Sequence, residues 1–315
     1  MSTVASSSIP QASTVTQSRS VIILAYMGLL ASVSIYGFWR AFIAVDTAWL
    51  VWGQLGALLA LFGLTFVWKT ARPLRAYFLV MFAISFLSNG VGPLVLDSAP
   101  WKSVFVDTGG FLSNFGGLVW KVLLALAMVG LLLMIGSKRS DFFLVKGDLN
   151  ATAKRSKLLI GMKTDETWLR SGRNVAVGGF IVAFAVLLLL NLPRLGGIDN
   201  LIKAIPLFPA AVLFAAMNAI HEEVFLRAAP MSQLLEVIGA RHALALTTLF
   251  FGLGHYAGSV PDGIMGVAVA SFLGYVMGKA MLETRGIVWP WIIHFAIDTG
   301  IFIFLAVSAV AAGAA

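Results

Sequence analysis

The hydrophobic pattern is a series of long apolar runs separated by short polar stretches. The runs cover roughly residues 20–44, 48–68, 76–96, 112–136, 174–193, 201–226, 242–257, 263–282 and 287–311. Most are close to the ~20 residues that an α-helix needs to cross a bilayer. The two-residue alternation typical of a transmembrane barrel does not extend over any long stretch. We therefore expect an all-α, polytopic transmembrane helix bundle with eight or nine spans.

Composition agrees with a membrane protein and narrows the chemistry. The chain is 59% hydrophobic and 11% charged, whereas soluble domains average about 25% charged residues. It contains no cysteine, which excludes disulfides, a cysteine nucleophile and thiolate metal sites. The net charge of +8 is typical of lysine and arginine in cytoplasmic loops. Nucleic-acid binding is not expected, because no basic run is interleaved with a soluble fold.

The polar stretches divide the chain into four parts. Residues 1–19 form a Ser/Thr-rich tail without the features of a cleaved signal peptide, so the first apolar run is expected to remain as an anchor. Residues 20–136 predict a four-helix membrane region. Residues 137–173 form a basic loop, long enough for a short hairpin or a surface helix. Residues 174–311 predict a second membrane domain, which contains all four histidines.

The charged loops predict the orientation. Lysine and arginine concentrate near residues 69–75 and 137–173, and few occur in the loops near 97–110 and 258–262. The positive-inside rule then places the N-terminus and the loop 137–173 in the cytoplasm. We expect a multi-pass protein of the plasma (cytoplasmic) membrane. With nine spans the C-terminus lies outside. If one short run is re-entrant and does not cross the membrane, the C-terminus lies in the cytoplasm.

The most informative stretch is His221-Glu222-Glu223-Val224-Phe225-Leu226-Arg227, at the end of the sixth run. Charge at the end of a membrane helix is costly unless it meets water, is paired or is functional. Glu223 and Arg227 are four residues apart, so they can pair on one helix face. Glu222 points about 100° away from Glu223. The stretch predicts either a hydrated helix end or a structural ion pair beside a carboxylate that is available as a general base.

Two further pairs favour the second interpretation. Phe251 and His255 are four residues apart, and so are His294 and Asp298, which places each pair on one helix face. A single histidine in an apolar run is more often a packed hydrogen-bond donor. Two histidines and several carboxylates in one half of a membrane domain must find partners, and the nearest candidates are one another.

The other polar residues of the apolar runs predict structural roles. Arg40 and Lys121 lie near run ends, where a long side chain can reach the interface. His242 follows an arginine at a predicted helix start, and we assign it no role. Gly274 and Gly278 have the spacing of close helix packing.

These residues allow two hydrolytic mechanisms. The zincin motif His-Glu-x-x-His is absent, since Phe225 stands in place of the second histidine. Three ligands on separate helices, Glu222, His255 and His294, would still suit an open Zn²⁺ site. Alternatively, Glu222 and His255 activate a water without metal while His294 and Asp298 stabilise the oxyanion. The sequence leaves both open.

The order of the three motifs resembles the CPBP family, also called the Abi family. This family comprises the type II CAAX prenyl endopeptidases and bacteriocin-processing relatives. The resemblance covers roughly residues 205–310 and is carried by Glu222, Glu223 and Arg227, then Phe251 and His255, then His294 and Asp298. It implies an intramembrane protease in which the first glutamate and the motif-two histidine activate water and the motif-three pair assists. Relatives are often labelled metalloproteases, although metal-free hydrolysis is also argued for them.

The resemblance implies an endopeptidase that cuts a membrane-associated peptide near the cytoplasmic face, in CAAX-type or leader-type processing. The alternative is a non-enzymatic immunity or partner-binding factor on the same fold. Two positions depart from the family pattern. Ala228 follows Arg227 where a glycine often stands, and Asp298 replaces the asparagine of eukaryotic prenyl proteases. The sequence indicates neither the substrate nor the oligomeric state.

Depth along the helices gives a geometric expectation. Glu222 is expected near the cytoplasmic end of its helix, and His294 about 10 Å into the last one. His255 would lie about 18 Å deep, past the midplane of a 30 Å core, unless its helix starts outside the core, tilts or breaks among the glycines at 252–258. We expect Glu222, His255 and His294 to converge on one water-accessible cavity open to the cytoplasm, with Asp298 one turn beyond His294.

Overall fold

The structure, a computed structural model, describes residues 18–32, 35–42, 47–106, 109–156, 166–193, 195–257 and 261–313. The predicted tail 1–19 therefore lies almost wholly outside the described residues. The helices are α1 Arg19–Leu30, α2 Tyr36–Phe42, α3 Thr47–Val67, α4 Arg75–Ser85, α5 Gly92–Leu96, α6 Ala99–Phe105, α7 Asn114–Met134, α8 Trp168–Asn191, α9 Ile198–Ala204, α10 Phe208–His221, α11 Ala229–Gly254, α12 Gly263–Thr284 and α13 Val288–Ala311. Two π-helical segments, Phe86–Val91 and Glu222–Ala228, join α4 to α5 and α10 to α11.

Seven helical segments in the described ranges are long and apolar enough to cross a membrane. The fifth, Ile198–Gly254, contains a break at Gly239, where φ is +73°. Arg227 and Phe251 lie equally far before and after Gly239 in the sequence, yet the guanidinium carbon is 4.6 Å from the Phe251 ring centre. The segment therefore folds back at Gly239 and supplies two spans. The prediction of an all-α bundle with about eight spans is confirmed, and the chain is an integral multi-pass membrane protein.

The first predicted span, 20–44, is not one helix. α1 has 12 residues, about 18 Å in length, which is shorter than a 30 Å hydrocarbon core. It ends at a polar contact: Gln54 Nε2 donates to the carbonyl of Ser32 at 2.8 Å, and Ser32 Oγ donates to the carbonyl of Leu29 at 2.6 Å. These bonds satisfy backbone groups at a helix end, which sequence hydropathy does not report.

The expectation that Glu222 lies near the end of its helix is wrong. The chain remains helical through the π segment and on to Ile238, because the charges here are buried by protein and do not reach water. Glu222 and His255 consequently lie a nearly equal number of residues from the turn at Gly239, Glu222 on the helix before it and His255 at the end of the helix after it. Of the three alternatives considered for His255, the break among the glycines agrees with the end of α11 at Gly254.

The basic loop predicted at 137–173 is shorter, since α8 begins at Trp168. Its described part packs against the turn between α12 and α13, where the Asp148 N–H donates to the carbonyl of Thr284 at 2.8 Å. An isolated antiparallel bridge between Thr152 and Thr167 closes the loop, in keeping with the hairpin alternative. Residues 157–165 of this loop lie outside the described ranges.

Close packing of α12 against the arms of α11 depends on small residues. A Cβ atom at Gly278 would lie 2.5 Å from Leu244 Cδ1 and 3.9 Å from Arg227 Cδ, and one at Gly274 would lie 3.2 Å from the Phe251 ring. The predicted packing role of both glycines is confirmed. The same contacts fix Arg227 and Phe251 beside the site described below.

The orientation predicted from the loop charges can be measured by cysteine labelling, because the chain has no cysteine of its own. Ser140 and Asp97 are exposed positions in two different loops. In sealed right-side-out membrane vesicles, a membrane-impermeant maleimide should label Asp97→Cys directly, and Ser140→Cys only after permeabilisation. The cysteine-free parent is the control. Labelling of Ser140→Cys in sealed vesicles would reverse the proposed orientation.

Candidate active site

The π-helical segment Glu222–Ala228 positions the two adjacent glutamates. Such wide turns occur mostly as short insertions in α-helices, frequently at functional sites. Glu223 and Arg227 form an ion pair between Oε1 and Nη1, as their spacing predicts, and both side chains are fully buried. This pair therefore lies inside the bundle, and the hydrated helix end considered as an alternative does not occur.

His294 of α13 lies between the two glutamates. Its Nδ1 is 2.8 Å from Oε1 of Glu223, and because a carboxylate only accepts, Nδ1 is the donor. Its Nε2 is 3.6 Å from Oε2 of Glu222 and 3.5 Å from Oδ2 of Asp298, one helical turn further on. The structure thus brings together Glu222, Glu223, His294 and Asp298, which the sequence placed in separate motifs.

Phe251 links the second motif to this cluster. The centres of the Phe251 and His294 rings are 5.7 Å apart in an edge-to-face arrangement, and those of Phe251 and His255 are 4.6 Å apart. His255 follows the last residue of α11, and its Nδ1 lies 2.8 Å from the carbonyl oxygen of Phe251. His255 is partly exposed, unlike buried His294. Phe251 therefore contacts the two histidines and, on its face, the guanidinium of Arg227.

Two further polar residues belong to the cluster, and the sequence reasoning missed both. Lys121 of α7 places its Nζ 2.5 Å from Oδ1 of Asn218 and 3.4 Å from Oε1 of Glu222. Asn218 Nδ2 donates to Oδ2 of Asp298 at 2.9 Å. The prediction that Lys121 reaches the membrane interface is therefore wrong, because its charge is directed inward to Glu222. Two features of the sequence could have indicated these residues: Lys121 is a lysine inside an apolar run, and Asn218 lies one helical turn before Glu222.

These contacts form what we call the polar ring, defined as Lys121, Asn218, Asp298, His294 and Glu222. Each member contacts the next, and Glu222 returns to Lys121. With the ion pair Glu223–Arg227, the site holds three carboxylates, one lysine and one arginine. The charges balance when His294 is an imidazolium, with a proton on each ring nitrogen. Balance of this kind is what permits charges to lie inside a membrane bundle.

Two carboxylate oxygens of this site lack a hydrogen-bond partner among the described residues, one on each of the adjacent glutamates. Oε2 of Glu222 is buried, faces Nε2 of His294 and has no hydrogen-bond partner among the described residues. Since a buried acceptor without a partner is costly, such an atom usually marks a place for water or a ligand. A water about 2.8 Å from both atoms would lie at an ordinary hydrogen-bond distance from each.

The other two histidines have no counterpart in the motifs. His221 is buried, its ring stacks on Phe225 with centres 5.0 Å apart, and neither ring nitrogen has a hydrogen-bond partner in the part of the chain that is described. His242 lies near the Gly239 turn, where its ring contacts Tyr26 edge-on at 6.3 Å. We assign neither a chemical role.

The side chains fit a metal ion poorly. Among the described ranges, no group of three His, Asp or Glu side chains is arranged to hold one. The ammonium of Lys121 lies beside Glu222, where it would repel a second cation. Nδ1 of His294 donates to Glu223, so Nε2 is the one nitrogen of this ring that could bind a metal. The Zn²⁺ set Glu222, His255 and His294 thus stays a prediction.

An apolar groove is formed by three of the helices that carry the polar ring. Its volume is about 490 Å³, and it is lined by Val122, Ala216, Met217, Ile220, Ile287, Val288 and Trp291. These residues come from α7, α10 and α13 and the turn before it, the helices that carry Lys121, Asn218 and His294. The catalytic residues predicted from sequence do not line this groove. A water-accessible cavity joining Glu222, His255 and His294 therefore remains a prediction.

Comparison with known proteins identifies the class of the matched segment. Residues 203–300 match the family model described as "Type II CAAX prenyl endopeptidase Rce1-like". The match covers less than half of the chain but includes all three motifs, so the resemblance predicted from them is confirmed for this segment. This part of a multi-pass membrane protein is thus similar to a family of proteases. No curated protein and no solved structure matches the chain significantly.

The buried ion pair gives a stability prediction. Arg227→Ala leaves Glu223 without its cation in a fully buried position, and breaking such a pair typically costs about 3–5 kcal/mol. We expect a clear fall in the melting temperature in detergent, together with loss of activity. Arg241→Ala, at an exposed arginine beyond the Gly239 turn, should leave the melting temperature unchanged. An Arg227→Ala protein as stable as the parent but inactive would instead make Arg227 a substrate contact.

Proposed function

We propose that the protein is an intramembrane endopeptidase that hydrolyses a peptide bond of a membrane-associated substrate, in CAAX-type or leader-type processing. The observation that carries the proposal is the buried, unpartnered Oε2 of Glu222, which faces Nε2 of His294 at 3.6 Å. It lies inside the segment 203–300 that resembles a protease family. The substrate lies in or on the bilayer, because the site is built between membrane helices.

In this proposal Glu222 is the general base. Its Oε2 accepts a proton from water, and the resulting hydroxide attacks the carbonyl carbon of the scissile peptide bond. The C–N bond then breaks, and the proton held by Glu222 passes to the leaving nitrogen, so that an amine and a carboxylic acid are released. Proton transfer by a positioned carboxylate typically contributes about 10²–10⁴-fold to the rate. His255, at the partly exposed end of α11, assists the transfer of protons.

His294 stabilises the oxyanion in this mechanism. As an imidazolium it donates from Nδ1 to Glu223, which leaves the proton on Nε2 for the charge that develops on the substrate oxygen. A donor aimed at this charge is typically the largest single contribution to catalysis of acyl transfer. Asp298 and Glu223 contact opposite nitrogens of the ring and so hold the imidazolium. Asp298 thereby acts through His294. A negatively charged aspartate suits this role because it stabilises the positive charge of the imidazolium.

Replacement of Glu222 tests the proposal. Glu222→Gln keeps the shape of the side chain and removes the base, so cleavage should fall by about 10²–10⁴-fold. The assay uses two internally quenched peptides in proteoliposomes, one ending in a farnesylated Cys-aliphatic-aliphatic-Met sequence and one of the same sequence without the lipid. Glu236→Gln, at an exposed glutamate on α11, is the matched control and should retain full activity.

Each outcome of this assay has a consequence. Cleavage of only the farnesylated peptide supports CAAX-type processing, and cleavage of both supports a broader peptidase. Glu222→Gln with parental activity would refute the general-base mechanism. A parent that cleaves neither peptide would contradict the CAAX-type assignment. A parent that binds these peptides without cleaving them, with the same binding in Glu222→Gln, would favour a non-enzymatic binding protein.

Metal dependence gives a separate prediction. Because Lys121 and Arg227 already neutralise the glutamates, we expect substoichiometric zinc in detergent-purified protein and cleavage that survives 1,10-phenanthroline. Elemental analysis and cleavage are measured on the same sample. Stoichiometric zinc, together with activity that is lost on chelation and restored by zinc, would replace this mechanism by a metal-dependent one.

A further inference from the structure

Lys121 lies outside the segment that resembles a protease family, yet it contacts the proposed general base. It sits in α7, whereas the matched segment spans residues 203–300. Its Nζ is 3.4 Å from Oε1 of Glu222 and 2.5 Å from Oδ1 of Asn218. A lysine inside a membrane helix is rare and normally has a partner or a function. Here its charge meets the proposed catalytic carboxylate.

The two glutamates receive different cations. Glu223 is held by Arg227 and His294 through its Oε1. Oε1 of Glu222 contacts the ammonium of Lys121, whereas its Oε2 faces Nε2 of His294. Lys121 therefore fixes which oxygen of Glu222 is engaged and which is available.

Asn218 extends this arrangement to the third motif. Its amide accepts from Lys121 through Oδ1 and donates to Asp298 through Nδ2. An amide bound at both ends cannot rotate freely, so the position of Lys121 also determines the position of Asp298. The lysine thus acts on two members of the polar ring, Glu222 directly and Asp298 through Asn218.

We propose that Lys121 is a positioning residue for hydrolysis: it holds Glu222 by Oε1, and through Asn218 it aligns Asp298 behind His294. The role of Lys121 in hydrolysis rests on the proposed function. It makes α7 a part of the active site, although the boundary predicted from sequence begins the catalytic domain at residue 174.

The kinetic test compares charge removal with charge retention. Lys121→Met keeps the length of the side chain and removes the ammonium. We expect kcat to fall by about 10–100-fold, the size of effect expected for a base displaced by about 1 Å, with KM nearly unchanged. The acid limb of the pH–rate profile should move to higher pH, because Glu222 is more easily protonated without the lysine. Lys121→Arg should restore the position of that limb.

The matched control is Lys102→Met, at an exposed lysine that pairs with Asp97 outside the site; its kinetics and pH profile should equal those of the parent. A Lys121→Met enzyme whose pH profile matches the parent would overturn the inference. The proposed function would still stand in that case if Glu222→Gln is inactive.

A second measurement does not require activity. Melting temperatures of Lys121→Met, Glu222→Gln and the double variant form a double-mutant cycle. Because Lys121→Met leaves the carboxylate of buried Glu222 without its cation, a cost that disappears when Glu222 is also replaced, the double variant should lose clearly less than the sum of the two single losses. Additive losses would show that the two side chains do not interact, and would overturn the inference whatever the substrate is.

Discussion

The site depends on mutual neutralisation of charges inside a membrane bundle. Lipid offers no counter-charge, so each buried carboxylate must meet a cation from the protein. Glu223 meets Arg227 on its own helix, and Glu222 meets Lys121 on another helix. His294 completes the balance beside Asp298. Removal of a cation leaves its carboxylate buried and charged, which explains why residues from α7, the π segment and α13 must assemble together.

Helix geometry brings these groups together. The chain turns back at Gly239, and the two arms bring Arg227 against Phe251. Phe251 in turn contacts the rings of both motif histidines. Gly274 and Gly278 of α12 admit Phe251 and Arg227 at short range, so the packing of apolar helices fixes the polar groups. The fold therefore controls the chemistry through a few close contacts beside the polar ring.

Sequence patterns predicted the membrane class, the helical fold and the three motifs, because hydropathy and four-residue spacing are local properties. The pairing of Glu223 with Arg227 is local in the same sense. The continuation of the helix past Glu222 was missed, since charged residues look like a helix end unless another helix neutralises them. Lys121 was interpreted as an interfacial side chain for the same reason. Its partners, Asn218 and Glu222, lie on another helix, and only tertiary structure reveals them.

The central claim is that Lys121 holds one oxygen of Glu222 while the other oxygen and His294 hold a water. The most direct measurement is an experimental structure of the full chain in a lipid nanodisc, at a resolution that shows ordered water. The account predicts the Nζ of Lys121 within hydrogen-bond reach of Glu222 and a water between Oε2 of Glu222 and Nε2 of His294. A structure in which Lys121 points toward the lipid headgroups, or in which Oε2 is bonded to a protein donor, would contradict it.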